Sequence, residues 1–467
     1  MKKITKKFLA ALLCIFCFNN CASADLAGRI NKIIHQKSQR KVQYSINIVK
    51  ADSAETIYKY NANKPLIPAS NMKVVASAAA LKILGPKYEY KTTVGLCGNT
   101  LVVIGSGDPL LGDKLTDKKY NRKHLWILDD ITEKLKQKGL TAINNIIVDS
   151  TIFDDQLVHP NWPKDQLNRH YACEVSGLNF NGNCVEITAN NIKNKILLTV
   201  EPPTDYVKIK NKVRPIKKGK SAIGAYRNQT PNHLIIKGKC KKQAGPFKTA
   251  IQRPPAFFGF LLAEKLAKAG IETKGQLIEK SIDPDCKFKK LAVYKTSIID
   301  CLNRCNKDSF ALAAEALLKT IAAKNTKKTN ASWEKARQII HQYLQKLNID
   351  RSQFYIDDAR GLSRKNKLSA NTITAVLLNT YKNKNWQIFK NSLAVAATDG
   401  TIKKFFKEKR YRGKVFGKTG YISTVKTFSG LCSTKNGDYI FAILANNANG
   451  KTRKAINDIV KTIIDHN

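Results

Sequence analysis

Apolar and polar positions alternate along residues 42–50 (Val-Gln-Tyr-Ser-Ile-Asn-Ile-Val-Lys), and a second run, Thr56-Ile57-Tyr58-Lys59-Tyr60, follows a short turn. A period of two marks strands with one face against a core, so the two runs predict a hairpin. Pro65 and Pro68 then lead into Ser70. From Met72 to Leu84 the chain is rich in alanine and aliphatic residues and stops at Gly85-Pro86, which predicts a helix over those residues. Ser70 falls at its N-terminus, with Lys73 one turn further along the same face. From about 91 to 289 the texture changes. Short strand-like runs, such as Leu101-Val102-Val103-Ile104, Ile146-Ile147-Val148 and Ile196-Leu197-Leu198-Thr199-Val200, are separated by turn clusters, with a helical stretch at 122–138. Helices return after about 290, at 309–323, 331–347 and 370–382, the last with Ser369 as its N-cap. Strands are predicted around Gly413 to Phe416 and Tyr439 to Ala445. Near the end, Ile456, Ile459, Val460, Ile463 and Ile464 share a helical face. A helix packed on the core is the first reading, and one lying on a membrane surface is the alternative. No internal repeat is visible.

The first residues read as an address rather than as fold. Lys2, Lys3, Lys6 and Lys7 precede a short apolar run from Phe8 to Phe18, and Ala22-Ser23-Ala24 has the form of a signal-peptidase site. This predicts a secretory signal at 1–24 and a mature chain starting at Asp25. A membrane anchor would need a longer apolar run, and the residues before Cys21 are not those of a lipoprotein site. Three of the eleven cysteines lie in the signal, leaving eight for an oxidising compartment, so disulfides are expected with connectivity open. Beyond residue 24 there is no Cys-x-x-Cys pair and no His-Glu-x-x-His, so no metal site is expected. The formal net charge is +46, with lysines spread along the whole length. Either a lysine-biased composition or attraction to anionic polymers of a cell envelope explains this. No nucleic-acid module is recognisable, so nucleic acid is not expected as a partner.

The candidate chemistry lies in Ser70-Asn71-Met72-Lys73 and, far downstream, Lys418-Thr419-Gly420. A Ser-x-x-Lys alone says little, because Ser38, Ser332 and Ser423 head the same pattern in this lysine-rich chain. Only Ser70 follows a proline-bearing entry and precedes a small-residue helix able to be buried. Burial matters because a solvated lysine is a poor base at neutral pH, and desolvation or a nearby cation lowers its pKa. Lys418 can be that cation, or can hold a substrate carboxylate. Gly420 allows close backbone approach, and the N–H groups of Ser70 and Tyr421 are the candidate oxyanion hole. Seven scattered histidines offer no Ser-His-Asp triad, which favours a lysine-based acyl transfer.

These motifs and the stretches between them resemble the penicillin-binding D-alanyl-D-alanine carboxypeptidase/endopeptidase family, of the large-insert low-molecular-mass type. Pro68-Ala69-Ser70-Asn71-Met72-Lys73 resembles its nucleophile motif, and Gly105-Ser106-Gly107-Asp108-Pro109-Leu110 its glycine-rich insert segment. Asn306-Lys307-Asp308-Ser309, Ala314 to Lys319, Gly361-Leu362-Ser363-Arg364, Asp399-Gly400-Thr401 and Lys418-Thr419-Gly420 follow in the family's order. The resemblance implies that Ser309 heads the second motif and relays a proton between Lys73, Lys418 and the leaving group. That motif is Ser-x-Asn in the family but Ser309-Phe310-Ala311 here, and Ala311 cannot supply the asparagine's amide. Ser369-Ala370-Asn371 has the bare pattern but the context of a helix cap. The resemblance further implies Arg364 and an insert acid, for which Asp154 is the choice beside Asp149 and Asp155, as recognition groups for the stem peptide's diamino acid. Surface salt bridges or caps are the alternative for these residues.

The expected fold is α+β: a penicillin-recognising, serine transpeptidase-like domain of antiparallel sheet flanked by helices, with a large, mostly β inserted region. The catalytic domain is placed at 25–90 and 290–467, and the insert at 91–289 as two nested subdomains. The expected function is a serine DD-peptidase of peptidoglycan, in the periplasm or cell envelope. Catalytic residues are Ser70, Lys73, Ser309 and Lys418; Thr419, Gly420, Tyr421, Arg364 and Asp154 bind substrate; no cofactor is implied. Partners are peptidoglycan stem peptides, β-lactams as inhibitors and anionic envelope polymers. A peptidoglycan binder weakened or silenced by Ala311 is the second reading. A β-lactamase is the third, disfavoured by the insert.

Overall fold

The computed structural model describes residues 25–325 and 330–466, so the signal expected at 1–24 lies outside the described residues. By its contacts the chain forms two compact units. One comprises the described part of Met1–Lys82, with Leu302–Ser309 and the described part of Ile340–Asn467; the other comprises Ile83–Cys301 and the described part of Phe310–Ile339.

The first unit is built on a six-stranded antiparallel sheet. In spatial order its strands are Ala394–Val395, Val415–Ile422, Val425–Thr434, Gly437–Asn446, Gln43–Lys50 and Thr56–Tyr60. The last two pair as the expected hairpin. Tyr439 to Ala445 are all buried, because helices cover both faces of this central strand, and its sequence therefore reads as one apolar run. On one face the helix over residues 25–34 and the helix Thr452–His466 contribute Leu26, Ile30, Ile456, Ile459, Val460 and Ile463. The C-terminal amphipathic helix thus packs on the core, as its first reading required. On the other face lies Ala370–Tyr381, capped by Ser369, whose hydroxyl accepts from the Thr372 N–H. Asn47 on the sheet donates to Thr374 of that helix at 2.7 Å. Met72–Leu84 has the expected bounds, and Met72 to Leu81 are all buried. A helix apolar all round belongs in an interior, and this one carries Lys73 inside with it.

The second unit centres on a five-stranded mixed sheet in the order Leu277–Glu279, Ile146–Asp149, Thr100–Ile104, Glu89–Cys97, Phe288–Ser297. Two three-stranded sheets accompany it. Leu101, Val103, Ile146 and Val148 share a core with the helices Trp126–Gln137 and Pro254–Lys268. Cys97 and Cys286 form a disulfide beside the paired residues Cys97 and Phe288.

Three differences from the sequence reading have physical causes. By contacts, residues 83–90, 290–301 and 310–339 also group with the second unit. There the helix Ala311–Asn325 bonds Thr320 to the Tyr90 hydroxyl at 3.3 Å, and Trp333 packs against Trp162. Pro254–Lys268 buries Phe257, Phe258, Leu261, Leu262 and Leu266 on one side, but Ala256, Phe260, Ala263 and Ala267 on the other side are apolar too; this blurs the helical period, and so the helix escaped the sequence reading. Val425–Thr434 escaped for the matching reason: Phe428 to Cys432 are buried in succession and show no alternation. Among the described residues no helix is long and apolar enough to cross a membrane.

Candidate active site

Ser70 lies in the short turn Ala69–Asn71 that runs directly into Met72–Leu84. The chain entering this turn is pinned by the sheet. The Asn446 side chain accepts from the Ile67 N–H at 3.0 Å and donates to the Ile67 carbonyl at 3.1 Å, and Thr427 donates to the Pro68 carbonyl at 2.9 Å. Ala69 is held in the left-handed region at φ 45°, a conformation that costs a residue with a Cβ on the order of 1–3 kcal/mol.

One turn later, Lys73 Nζ donates to Ser70 Oγ at 3.1 Å and to the Arg360 carbonyl at 2.6 Å. The loop that aims this carbonyl is tied down by the buried Asp358 carboxylate, which accepts from the N–H groups of Gly361, Leu362 and Ser363 and from Asn366 Nδ2. Gly361, at φ 79°, has no room for a side chain, because a Cβ would stand 1.9 Å from the Ala69 carbonyl oxygen.

The strand Val415–Ile422 brings the second motif alongside. Lys418 is fully buried, and its Nζ donates to Ser309 Oγ at 2.9 Å and to the Thr419 carbonyl at 2.7 Å. Ser309 presents its hydroxyl from a left-handed backbone, φ 58°. Thr419 Oγ1 bonds Thr401 Oγ1 at 3.0 Å. A Cβ on Gly420 would fall 2.1 Å from Thr427 Oγ1 and 3.0 Å from the Ser70 nitrogen, so glycine is what lets the strand approach the Ser70 turn. Tyr421, next along, is 69% exposed.

Burial and the neighbouring Lys73 cation together push the Lys418 ammonium well below the usual lysine range. Its two acceptors, a hydroxyl and a carbonyl, carry no charge to offset this. Such an amine gives up its proton readily and can then accept one from a hydroxyl. Ser70 and Ser309 are both hydroxyls bonded to buried amines.

Ser70, Lys73, Ser309, Lys418, Thr419 and Gly420 thus come together in the first unit. Arg364 belongs to the same unit, is exposed, and donates to the Ser423 carbonyl at 2.6 Å, just past the end of the Lys-Thr-Gly strand. Asp154 lies in the second unit, where its carboxylate pairs with the buried Lys319 at 2.6 Å. It is an ion-pair partner there, the alternative weighed for it from the sequence. Asp149 closes a turn on Thr151. Two amides are committed within the fold: Asn306 bonds Ser77 and Ser392, and Asn371, of the bare Ser-x-Asn pattern, bonds Gln353.

Residues the sequence did not single out complete the frame. Asn71, fully buried, donates to the Lys418 carbonyl at 2.8 Å and so joins the nucleophile turn to the Lys-Thr-Gly strand. Its place inside the Ser-x-x-Lys motif was the available signal. Arg453, from the helix Thr452–His466, donates to the carbonyls of Gly420 and Thr427 and braces the same strand. Burial lowers its guanidinium to about 10. Nothing local in the sequence marks it.

Comparison with known proteins places this arrangement. A D-alanyl-D-alanine carboxypeptidase of Actinomadura sp. (strain R39) is 24% identical over 465 residues, covering 93% of this chain and 84% of that protein. Penicillin binding protein 4 of Haemophilus influenzae superposes with a TM-score of 0.78 at 21% identity, over 93% of this chain and 98% of that one. A predatory endopeptidase of Bdellovibrio bacteriovorus, solved with an immunity protein, superposes with a TM-score of 0.53 at 18% identity, over 91% and 94% of the two chains. Residues 26–466 match the model of the D-Ala-D-Ala carboxypeptidase 3 (S13) family, and the chain belongs to that family.

Proposed function

We propose that this protein is a serine DD-peptidase of peptidoglycan, cleaving D-alanyl-D-alanine termini, D-amino-acid cross-links, or both. The observation that carries the reading is the 3.1 Å bond from Lys73 Nζ to Ser70 Oγ beside the 2.9 Å bond from Lys418 Nζ to Ser309 Oγ, with burial and the Lys73 charge lowering the Lys418 pKa. Ser70 Oγ attacks the scissile carbonyl as its proton passes to Lys73 Nζ in its neutral form, the amine bonded to it. The carbonyl carbon gains the bond to Oγ, and the charge on its oxygen is met by the N–H groups of Ser70 and Tyr421. Collapse expels the terminal D-alanine amine, which takes its proton back through Lys73, Ser309 and Lys418. Water then hydrolyses the ester and frees Ser70. Lys418 and Thr419 hold the substrate's terminal carboxylate, and Arg364 contacts the stem peptide. The substrate of such an enzyme lies in the cell envelope, which agrees with the signal read at 1–24. β-Lactams acylate the same serine, and anionic envelope polymers join the partners on the strength of the +46 net charge.

A labelled penicillin tests the nucleophile. It is expected to mark the native chain covalently and to leave Ser70→Ala unmarked; label on the variant would remove Ser70 from the role. A muropeptide ending in D-Ala-D-Ala tests turnover, with release of D-alanine expected. Ala311 tempers the rate, since loss of one hydrogen-bond donor costs about 1–3 kcal/mol, roughly ten- to a few hundred-fold. Ala311→Asn is therefore expected to raise the acylation rate by a factor in that range, measured with the same label. An unchanged rate would mean that this motif position does not limit the enzyme.

A further inference from the structure

The three-stranded sheet of Ala222–Arg227, His233–Cys240 and Lys208–Pro215 in the second unit has two unlike faces. One face is core: Val213, Ala225, Leu234 and Ile236 are buried. The other carries Lys208, Lys210, Lys212 and Arg214 along one strand and Lys237 and Lys239 along its neighbour, all exposed. The register sets Lys212 opposite Lys237 and Arg214 opposite Lys239. Like charges directly opposite each other destabilise a strand pair. Among the described residues the ion pair found on this face is Lys208 with Asp205, at 3.0 Å and exposed to solvent.

A lysine-rich composition explains the cations but not the missing acids. Residues 206–263 contain no Asp or Glu, although the chain has 35 in its 467 residues and a stretch of that length would carry about four at the average rate. By contrast, the five-stranded sheet of the same unit offsets Lys295 with Glu89. A face that accumulates uncompensated like charge is stabilised by a partner that brings the counter-charge.

The geometry narrows that partner. Outward side chains recur about every 6.6 Å along a strand, and neighbouring strands lie about 4.8 Å apart. The cations therefore form a ladder on the order of 20 Å long, suited to a chain of regularly spaced anions. Tyr226, 51% exposed on the same face, has Lys237 Nζ 5.4 Å from its ring centre and offers a flat surface for a sugar ring. The face presents no cluster of exposed apolar side chains to enter a bilayer. We propose that it binds a linear anionic glycan bearing carboxylate or phosphate groups along its backbone. This locates one partner class of the enzyme, and it does not depend on the chemistry at Ser70.

Polygalacturonate oligomers are a suitable probe, titrated against the full chain at several salt concentrations. The triple variant Lys210→Glu/Lys212→Glu/Lys237→Glu is expected to bind at least tenfold more weakly at about 0.1 M salt, with the slope of log affinity against log salt reduced by about two. Lys346→Glu/Lys384→Glu/Lys435→Glu changes net charge equally on exposed lysines of the other unit, and is expected to weaken binding less than about threefold. Equal losses in the two variants would overturn the proposal in favour of net charge alone. Tighter binding to phosphatidylglycerol vesicles or to duplex DNA than to the glycan, lost in the same face variant, would overturn the choice of partner. Thermal melting and penicillin labelling of each variant establish that it is folded, so this proposal and the catalytic one can fail separately.

Discussion

The first unit buries Lys73 and Lys418 and the second buries Lys319, and Lys418 and Lys319 are treated in opposite ways. Lys319 in the second unit meets the Asp154 carboxylate at 2.6 Å, with the Trp333 ring 3.9 Å from its ammonium. Burial lowers its pKa, and Asp154 opposes the shift. Lys418 in the first unit meets a hydroxyl and a carbonyl, and Lys73 adds to the effect of burial rather than opposing it. The same desolvation is opposed where a carboxylate faces the ammonium and reinforced where a second amine does. A buried charge kept without its counter-ion is costly, and such costs gather where chemistry needs them.

The largest effect is expected at Lys418. Lys418→Met should lower acylation by a labelled penicillin about 10²- to 10⁴-fold, the usual range for a positioned acid–base group, while leaving melting temperature unchanged or higher. The native acylation rate should rise with pH as the Lys73–Lys418 pair loses a proton below the ordinary lysine value of 10.5, and that apparent pKa belongs to the pair. Stability carries the same sign. Because the folded pKa is depressed, the unfolded chain binds the extra proton between the two values, so stability rises with pH across that window. A variant at Lys418 that keeps the native rate and pH profile would end the contrast with Lys319.

Asp154→Ala is next. It leaves Lys319 buried and unpaired, which should cost about 3–5 kcal/mol in a denaturant titration, with penicillin labelling retained in the folded fraction. The double variant with Lys319→Met should recover much of that loss. Labelling lost in step with Asp154, while the fold is intact, would instead return this residue to substrate recognition.

The smallest effect sharpens the second unit by itself. Asp108 is buried, and burial raises its carboxyl from 3.8 to about 6. The folded state then holds the extra proton between those values, so stability falls as pH rises through them. Asp108→Asn should remove that fall and gain on the order of 2–3 kcal/mol at pH 7, with no gain at pH 4, read from denaturant midpoints. A gain that is the same at both pH values would point to packing rather than ionisation.

Much of this was legible along the chain. Met72–Leu84, the first hairpin, the Ser369 cap and the C-terminal helix follow from period and capping, which are local properties. Two elements with a weak apolar/polar contrast were not, because Pro254–Lys268 carries alanines and Phe260 on its outer side and Val425–Thr434 is buried from Thr427 to Cys432. The site divides in the same way. Ser70, Lys73 and Lys418 could be picked out because a proline-bearing entry, a small-residue helix and a downstream Lys-Thr-Gly set one of four Ser-x-x-Lys matches apart. Arg453 could not, since a guanidinium bonded to backbone carbonyls leaves no local pattern, and for Asn71 the one signal was its place inside the motif.

The sequence by itself marked the candidate residues for the chemistry and showed alanine at 311 where the family pattern has asparagine. The tertiary structure decided which buried lysine has a carboxylate beside it and which has another amine. Lys73, Lys319 and Lys418 are the same residue in the same chain, and each is buried to within 1% of completely. What separates Lys319 from Lys418 is the sign of the nearest charge, which is contributed 165 positions away for the first and by Lys73, from the other end of the first unit's sequence, for the second. Electrostatic energy depends on distance through the fold rather than along the chain, and no local pattern carries it.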